Sequence, residues 1–139
     1  MTTDIVLIED NANDAELLLL AVRKAGLSLN IKTLRDGAEA LAYLTPEGTA
    51  PTRTPIRLVL LDLKLPKLNG FQVLEELRGH ASFEQVPIVV FTSSAVESDI
   101  HKAYKLGANS YIVKPIDYVE HSKTVTQTIR YWTEINVIN

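Results

Sequence analysis

Four short apolar runs, each closed by a polar residue, constrain this chain more than any other feature. The runs are Ile5-Val6-Leu7-Ile8, Leu58-Val59-Leu60-Leu61, Ile88-Val89-Val90-Phe91 and Tyr111-Ile112-Val113. They are followed in order by Glu9-Asp10, Asp62, Thr92 and Lys114-Pro115. Continuous apolar runs, without polar alternation, mark strands covered on both faces, the condition of a parallel sheet. Parallel strands end along one edge, and that edge is where open α/β sheets place ligands. Three carboxylates, a hydroxyl and an ammonium are thereby directed to one place.

The segments between the runs carry helical spacing. Asn13 is placed to cap a helix with Ala15, Leu18, Leu19 and Val22 on one face, ending at Gly26. Residues 30–34 alternate as a shorter, more polar strand near an edge, and Asp36-Gly37 opens a helix through Leu44. Thr45 to Pro55 reads as a loop, with its prolines and glycine. Further helices carry Phe71, Leu74 and Leu77, then Ile100, Ala103 and Tyr104, and a last one runs from about Asp117 to Trp132. Strand and helix alternate strictly, which predicts an α/β doubly wound parallel sheet of five strands with helices on both faces. The order 2-1-3-4-5 makes the four strands with polar endings contiguous. At 139 residues, with no linker or repeat, residues 1–139 read as one domain.

Glu9, Asp10 and Asp62 bring about three negative charges together if all ionise, so they must bind protons or gather a cation. Carboxylate oxygens with room for water suit Mg2+. Lys114 adds a positive charge, and the set is equipped to stabilise a phosphoryl group. Asp62, alone at the end of a central strand, is the candidate nucleophile. Thr92 and Lys114 are donors for phosphoryl oxygens. Taken singly, each has an ordinary reading: Glu9-Asp10 and Thr92-Ser93-Ser94 suit helix caps, and Lys114 a solvated surface. Their joint placement at four strand ends favours chemistry.

The motifs Val6-Leu7-Ile8-Glu9-Asp10-Asn11, Leu60-Leu61-Asp62-Leu63-Lys64-Leu65-Pro66, Gly70, Val90-Phe91-Thr92-Ser93-Ser94 and Gly107-Ala108-Asn109-Ser110-Tyr111-Ile112-Val113-Lys114-Pro115 resemble, as a set, the receiver domain of two-component response regulators. The resemblance spans essentially the whole chain and implies the flavodoxin-like receiver fold. It further implies that Glu9 and Asp10 position Mg2+, Asp62 accepts a phosphoryl group from a sensor histidine kinase, and the backbone carbonyl of Lys64 completes the metal shell. Thr92 and Tyr111 become the switch pair, Lys114 the catalytic lysine, and Lys114-Pro115 a cis bond. Two positions depart from common family usage: Glu9 where many receivers carry Asp, and Ser93 where a smaller residue is frequent. Neither removes a needed functional group. Thr45–Pro55, the stretch after Asp62 and the ending Arg130-Tyr131-Trp132-Thr133-Glu134 resemble stand-alone regulators of phytochrome-type sensor kinases.

In the expected switch, Thr92 turns toward a phosphoryl group on Asp62, and Tyr111 then moves from an outward to an inward rotamer. The face of helix four, strand five and helix five is thereby reshaped for protein contacts. Moving such an equilibrium from 1:99 to 99:1 takes about 5.5 kcal/mol. Tyr118, Val125, Ile129 and Trp132 give the last helix a core-facing stripe, and Trp132 with Ile135, Val137 and Ile138 also suits a homodimer contact. His80, His101 and His121 lack ligand spacing and read as solvated.

Other classes fit less well. A nucleotide module needs a glycine-rich loop after strand one, but here that loop is Glu9-Asp10-Asn11-Ala12-Asn13-Asp14. An aspartyl-phosphate phosphatase would carry a second acid two residues after the nucleophile, where Lys64 stands. The alternative is a receiver-like interaction module that signals without phosphorylation. The net charge of -3 leaves no basic footprint for nucleic acid, and no apolar run approaches the roughly 20 residues of a membrane span. Zero cysteines exclude thiol catalysis, and a cytoplasmic signalling protein, acting as no enzyme on outside substrates, is the expectation.

Overall fold

Five parallel strands form a single sheet in the order β2-β1-β3-β4-β5 in the computed structural model, which describes residues 3–45 and 56–137. The strands are β1 (Ile5–Ile8), β2 (Ile31–Leu34), β3 (Leu58–Leu61), β4 (Ile88–Thr92) and β5 (Ser110–Val113). The predicted order holds, and β2 lies at an edge as its polar pattern suggested. Most of the predicted loop over Thr45–Pro55 lies outside the described residues, as does Ile138 of the tail.

Period-two geometry explains the two cores. Alternate side chains of a strand point to opposite faces. Ile5, Leu7, Leu58, Leu60, Val89 and Phe91 therefore face one side, where they pack with Ala15, Leu18 and Val22 of α1 (Ala12–Lys24) and Val125 and Ile129 of α5 (Tyr118–Arg130). Val6, Ile8, Val59, Leu61, Ile88 and Val90 face the other, under α2 (Gly37–Leu44), α3 (Gly70–Arg78) and α4 (Glu97–Lys105). A three-layer sandwich follows, with every central strand covered on both sides.

The helix starts are specified locally. Asp36 accepts from the Glu39 amide at 2.7 Å and Asp117 from the Glu120 amide at 3.0 Å. Asn69 and Gln72 form a reciprocal capping box, each side chain accepting from the other's amide at 3.0 Å. At α1 the cap is Asn11, not Asn13: the Asn11 side chain accepts from the Asp14 amide at 3.1 Å. Asn13 already lies inside the first turn, so a side chain there is too late to serve the leading amides. The last helix also ends differently, with α5 closing at Arg130 and a π-helical turn following over Tyr131–Ile135.

Histidine placement corrects a second expectation. His121 is buried, not solvated, because it shares the inward stripe of α5 with Val125 and Ile129 at spacings of four. Its ring lies 5.5 Å from that of Phe91. Tyr118, expected on that stripe, is exposed instead.

One cation ties the distal ends of the sheet together. Arg78, last residue of α3, donates to the Gly107 carbonyl at 2.8 Å, the Val86 carbonyl at 2.9 Å, the Asn109 side chain at 2.6 Å and the Phe83 carbonyl. Asn109 in turn accepts from the Ile88 amide at 2.8 Å, so the entries to β4 and β5 share one clamp.

Candidate functional site

The carboxyl ends of β1, β3, β4 and β5 converge as the sequence pattern required. Asp62 follows β3 directly and is 7% exposed. The loop after it folds tightly back. The Lys64 amide donates to Asp62 Oδ1 at 3.2 Å, and the Gly70 amide to the Leu63 carbonyl at 2.9 Å. A Cβ on Gly70 would fall 2.4 Å from the Asp62 carbonyl oxygen and 2.5 Å from the Leu63 Cα. Only glycine lets the start of α3 approach the acid this closely. Lys67, in the same loop, takes a positive φ of 67°.

Lys114 crosses the pocket from β5. Its Nζ donates to Glu9 Oε1 at 2.5 Å, Asp14 Oδ2 at 2.9 Å and Asp62 Oδ2 at 3.0 Å. Its backbone amide donates to the Thr92 carbonyl at 2.7 Å, which keeps the side chain level with the end of β4. The Glu9 carboxylate is buried and also accepts from the Asn11 amide at 3.2 Å. Asp10 is exposed, and ligand oxygens of Glu9, Asp10 and Asp62 all lie within 4.8 Å of one another.

The electrostatics follow from one ammonium serving several acids. Burial pushes the Glu9 carboxyl up to about 7, against the Lys114 hydrogen bond, and the neighbouring Asp62 charge adds to the rise. Burial acts upward on Asp62 as well, but the Lys114 charge, the nearby Thr92 hydroxyl dipole and the Lys114 hydrogen bond outweigh it, and the net shift is down. For Lys114, burial is opposed by hydrogen bonds to Glu9 and Asp14 and by the charge of Asp62, which together hold it above its ordinary value. Asp62 is therefore an anion at neutral pH, and Glu9 is poised between forms.

Thr92 is wholly buried at the end of β4, and its Oγ1 has no hydrogen-bond partner of good geometry although it favours the Asp62 carboxylate. A buried hydroxyl left unsatisfied costs roughly 1–3 kcal/mol, so an oxygen supplied beside Asp62 would relieve it. The donor set also fits a divalent cation: hard carboxylate oxygens on one exposed and two buried side chains, opposed by one lysine.

Residues 5–126 match the response regulator receiver domain family. The chain belongs to that family. The receiver is 38% identical over 128 residues to the probable methanogenesis regulatory protein FilR2 of Methanothrix harundinacea, covering 92% of this chain and 82% of that one. It superposes on the phosphorylated cyanobacterial phytochrome response regulator RcpA with a TM-score of 0.89 at 33% identity, over 99% of each chain. With the Mn2+-bound form of the response regulator Rcp1, the TM-score is 0.86 at 31% identity, over 97% of each chain. Receiver domains are signalling domains of two-component systems. Among the described residues no helix is long and apolar enough to cross a membrane.

Glu9, Asp10, Asp62, Thr92 and Lys114 all reach this edge, and the side chain of Lys64, expected to contribute only its carbonyl, is exposed. Asp14 was not singled out, yet it is the third acceptor of Lys114. It stands in the first turn of α1, and only the approach of the distant Lys114 ammonium marks it as part of the site. Two expectations taken from the family differ. Among the described residues there is no cis peptide, so Lys114-Pro115 is trans, the form that X-Pro bonds favour by roughly 0.5–1 kcal/mol. Tyr111 is not outward: its ring packs on the core beneath α4, and its hydroxyl donates to the Ser94 carbonyl at 2.9 Å.

Proposed function

We propose that this receiver accepts a phosphoryl group on Asp62 from a sensor histidine kinase. An Asp62 carboxylate oxygen attacks phosphorus, the bond from phosphorus to the donor's imidazole nitrogen breaks, and an acyl phosphate forms on the aspartate. The observation that carries this reading is the buried Thr92 hydroxyl, unpartnered beside an ionised Asp62. Such a donor makes no well-formed hydrogen bond in the free protein, and a phosphoryl oxygen on Asp62 would complete one. Lys114 holds the other side: it already contacts Asp62 Oδ2, and its strongly retained charge suits a second phosphoryl oxygen.

Glu9, Asp10 and Asp62 would hold Mg2+, with the Lys64 backbone carbonyl as a further ligand. When bound, the ion offsets negative charge building on the transferred group. Glu9 in place of a shorter acid reaches the pocket floor while remaining buried, and Asp10 supplies the exposed oxygen. Lys114 offsets the mutual repulsion of the acids by bridging Glu9, Asp14 and Asp62.

The likeness to the phytochrome response regulator RcpA supports a phytochrome-type kinase as the donor. Residues 1–139 are read as one cytoplasmic receiver unit that signals by protein contact through α4, β5 and α5, catalysing only its own phosphorylation and dephosphorylation. Tyr131, Ile135 and Val137 are exposed at the chain's end and support a homodimer through the last helix and tail. The test is Mg2+-dependent labelling by a small phosphodonor. The parent should label and Asp62→Asn should not. Equal labelling of both, or none of the parent with Mg2+ present, overturns the reading.

A further inference from the structure

The start of α4 is built unusually. Its N-cap is Val96, which has no side-chain acceptor for the leading amides. Ser94 performs that service from two residues earlier. Its hydroxyl accepts from the Val96 amide at 3.3 Å and donates to Asp99 Oδ2 at 2.7 Å. Asp99 belongs to the first turn of α4, where a carboxylate is favoured by the helix dipole, and its own amide donates to the Val96 carbonyl at 3.0 Å. Ser94 is 7% exposed, so these bonds are largely shielded from water. The carbonyl of this same Ser94 is the acceptor of the Tyr111 hydroxyl. α4 grips Tyr111 a second time, because the Tyr111 amide donates to the Tyr104 hydroxyl at 3.0 Å.

We propose that the Ser94–Asp99 hydrogen bond is a latch that holds the loop between β4 and α4 in the shape that accepts Tyr111, so that Asp99 is a positioning residue for phosphoryl acceptance. The inference rests on the reading of Asp62 as phosphoacceptor and adds to it. Thr92 is the last residue of β4 and Ser94 lies two positions on, so the latch and the phosphoryl-facing hydroxyl share one short segment. With Ser94 pinned, Tyr111 is held inward before any phosphoryl group arrives. A ligand that prefers the inward arrangement then binds without having to supply the energy of that rearrangement. Breaking the latch lets Tyr111 populate an outward rotamer and returns that cost to the ligand.

The experiment labels the receiver's tyrosines with 3-fluorotyrosine, assigns the Tyr111 signal by Tyr111→Phe, and follows it by 19F NMR. The variants are Ser94→Ala, Asp99→Ala, the double variant, and Asp99→Asn, which keeps an acceptor for the Ser94 hydroxyl. In the free protein, Ser94→Ala and Asp99→Ala should each shift the Tyr111 signal, and Asp99→Asn should stay near the parent. Affinity for beryllium fluoride with Mg2+ should fall roughly five- to tenfold in each alanine variant, the scale of one ordinary net hydrogen bond. The double variant should lose no more than the larger single loss, because both remove the same bond. An unmoved Tyr111 signal in Asp99→Ala, or losses that add in the double variant, overturns the latch. Failure of the parent to take up beryllium fluoride would instead sink the phosphoacceptor reading, and the free-protein signals would still decide the latch.

Discussion

Glu9 makes cation binding a proton-linked event, and the size of the effect follows from the site. The carboxyl is buried, and its affinity for a proton is raised until it half-protonates at about pH 7. A metal ligand must be deprotonated, so cation and proton compete for this one group. With a metal-free pKa near 7, about nine-tenths of Glu9 is ionised at pH 8 and about one-tenth at pH 6. Mg2+ affinity should therefore fall roughly eight- to tenfold between those pH values, since metal uptake must displace a proton in proportion. Asp62, whose carboxyl is held below its ordinary range, adds nothing to the slope there. Isothermal titration of Mg2+ in buffers of different ionisation enthalpy measures both the affinity and the proton released. Glu9→Gln should bind more weakly but with a flat profile across this range, whereas Glu9→Asp should keep a slope, displaced to lower pH by the lower intrinsic pKa of aspartate. The linkage to folding has the opposite direction. A carboxyl with a raised folded-state value stabilises the metal-free protein below the unfolded value of 4.5, and that contribution is lost as pH rises through about 7. Mg2+ should thus stabilise most above neutrality. A flat parent affinity from pH 8 to pH 6 would refute the electrostatic account of the pocket.

Gly70→Ala should lower the rate of Asp62 labelling by at least roughly tenfold, because the new methyl collides with the Asp62 carbonyl and displaces the acid by a fraction of an ångström; unchanged labelling kinetics would show that the loop yields freely. Arg78→Met should destabilise the fold by about 3 kcal/mol, read by urea unfolding, since three carbonyls and the Asn109 side chain lose a charged donor together. That loss should leave Mg2+ affinity at neutral pH unchanged, because the clamp sits at the opposite end of the strands. His121→Phe should flatten the acid limb of stability. Burial holds the imidazole below its ordinary value, so the parent loses stability as pH falls below about 6.5, and a ring without a titratable nitrogen does not. Parallel unfolding curves for parent and variant from pH 7 down to pH 5 would contradict this.

The apolar runs were readable because burial on both faces imposes a continuous apolar pattern, as in Val59, Leu60 and Leu61. Their polar endings were readable for the same reason, as breaks in an otherwise uniform composition. Caps were read within about two residues. Asn11 and Asn13 are chemically equivalent in the sequence, and only the backbone path assigns the cap to Asn11. His121 was misread because a lone histidine carries little sign of its side, whereas its spacing of four from Val125 did hold that information. Asp14 was missed because its role depends on where Lys114, a hundred residues away, delivers its ammonium.

The order of elements, the parallel sheet, the edge at which chemistry gathers and the residue types gathered there are written in local patterns of burial and capping, which short stretches of chain impose on themselves. Packing alone decided which acids share the lysine, that Glu9 is hidden while Asp10 meets solvent, that the Thr92 hydroxyl is orphaned, and that Tyr111 is already drawn in by the loop ahead of α4. These depend on distances between side chains far apart in the chain. Coulomb energy and desolvation change steeply over a few ångströms, and no local pattern encodes a distance of that kind.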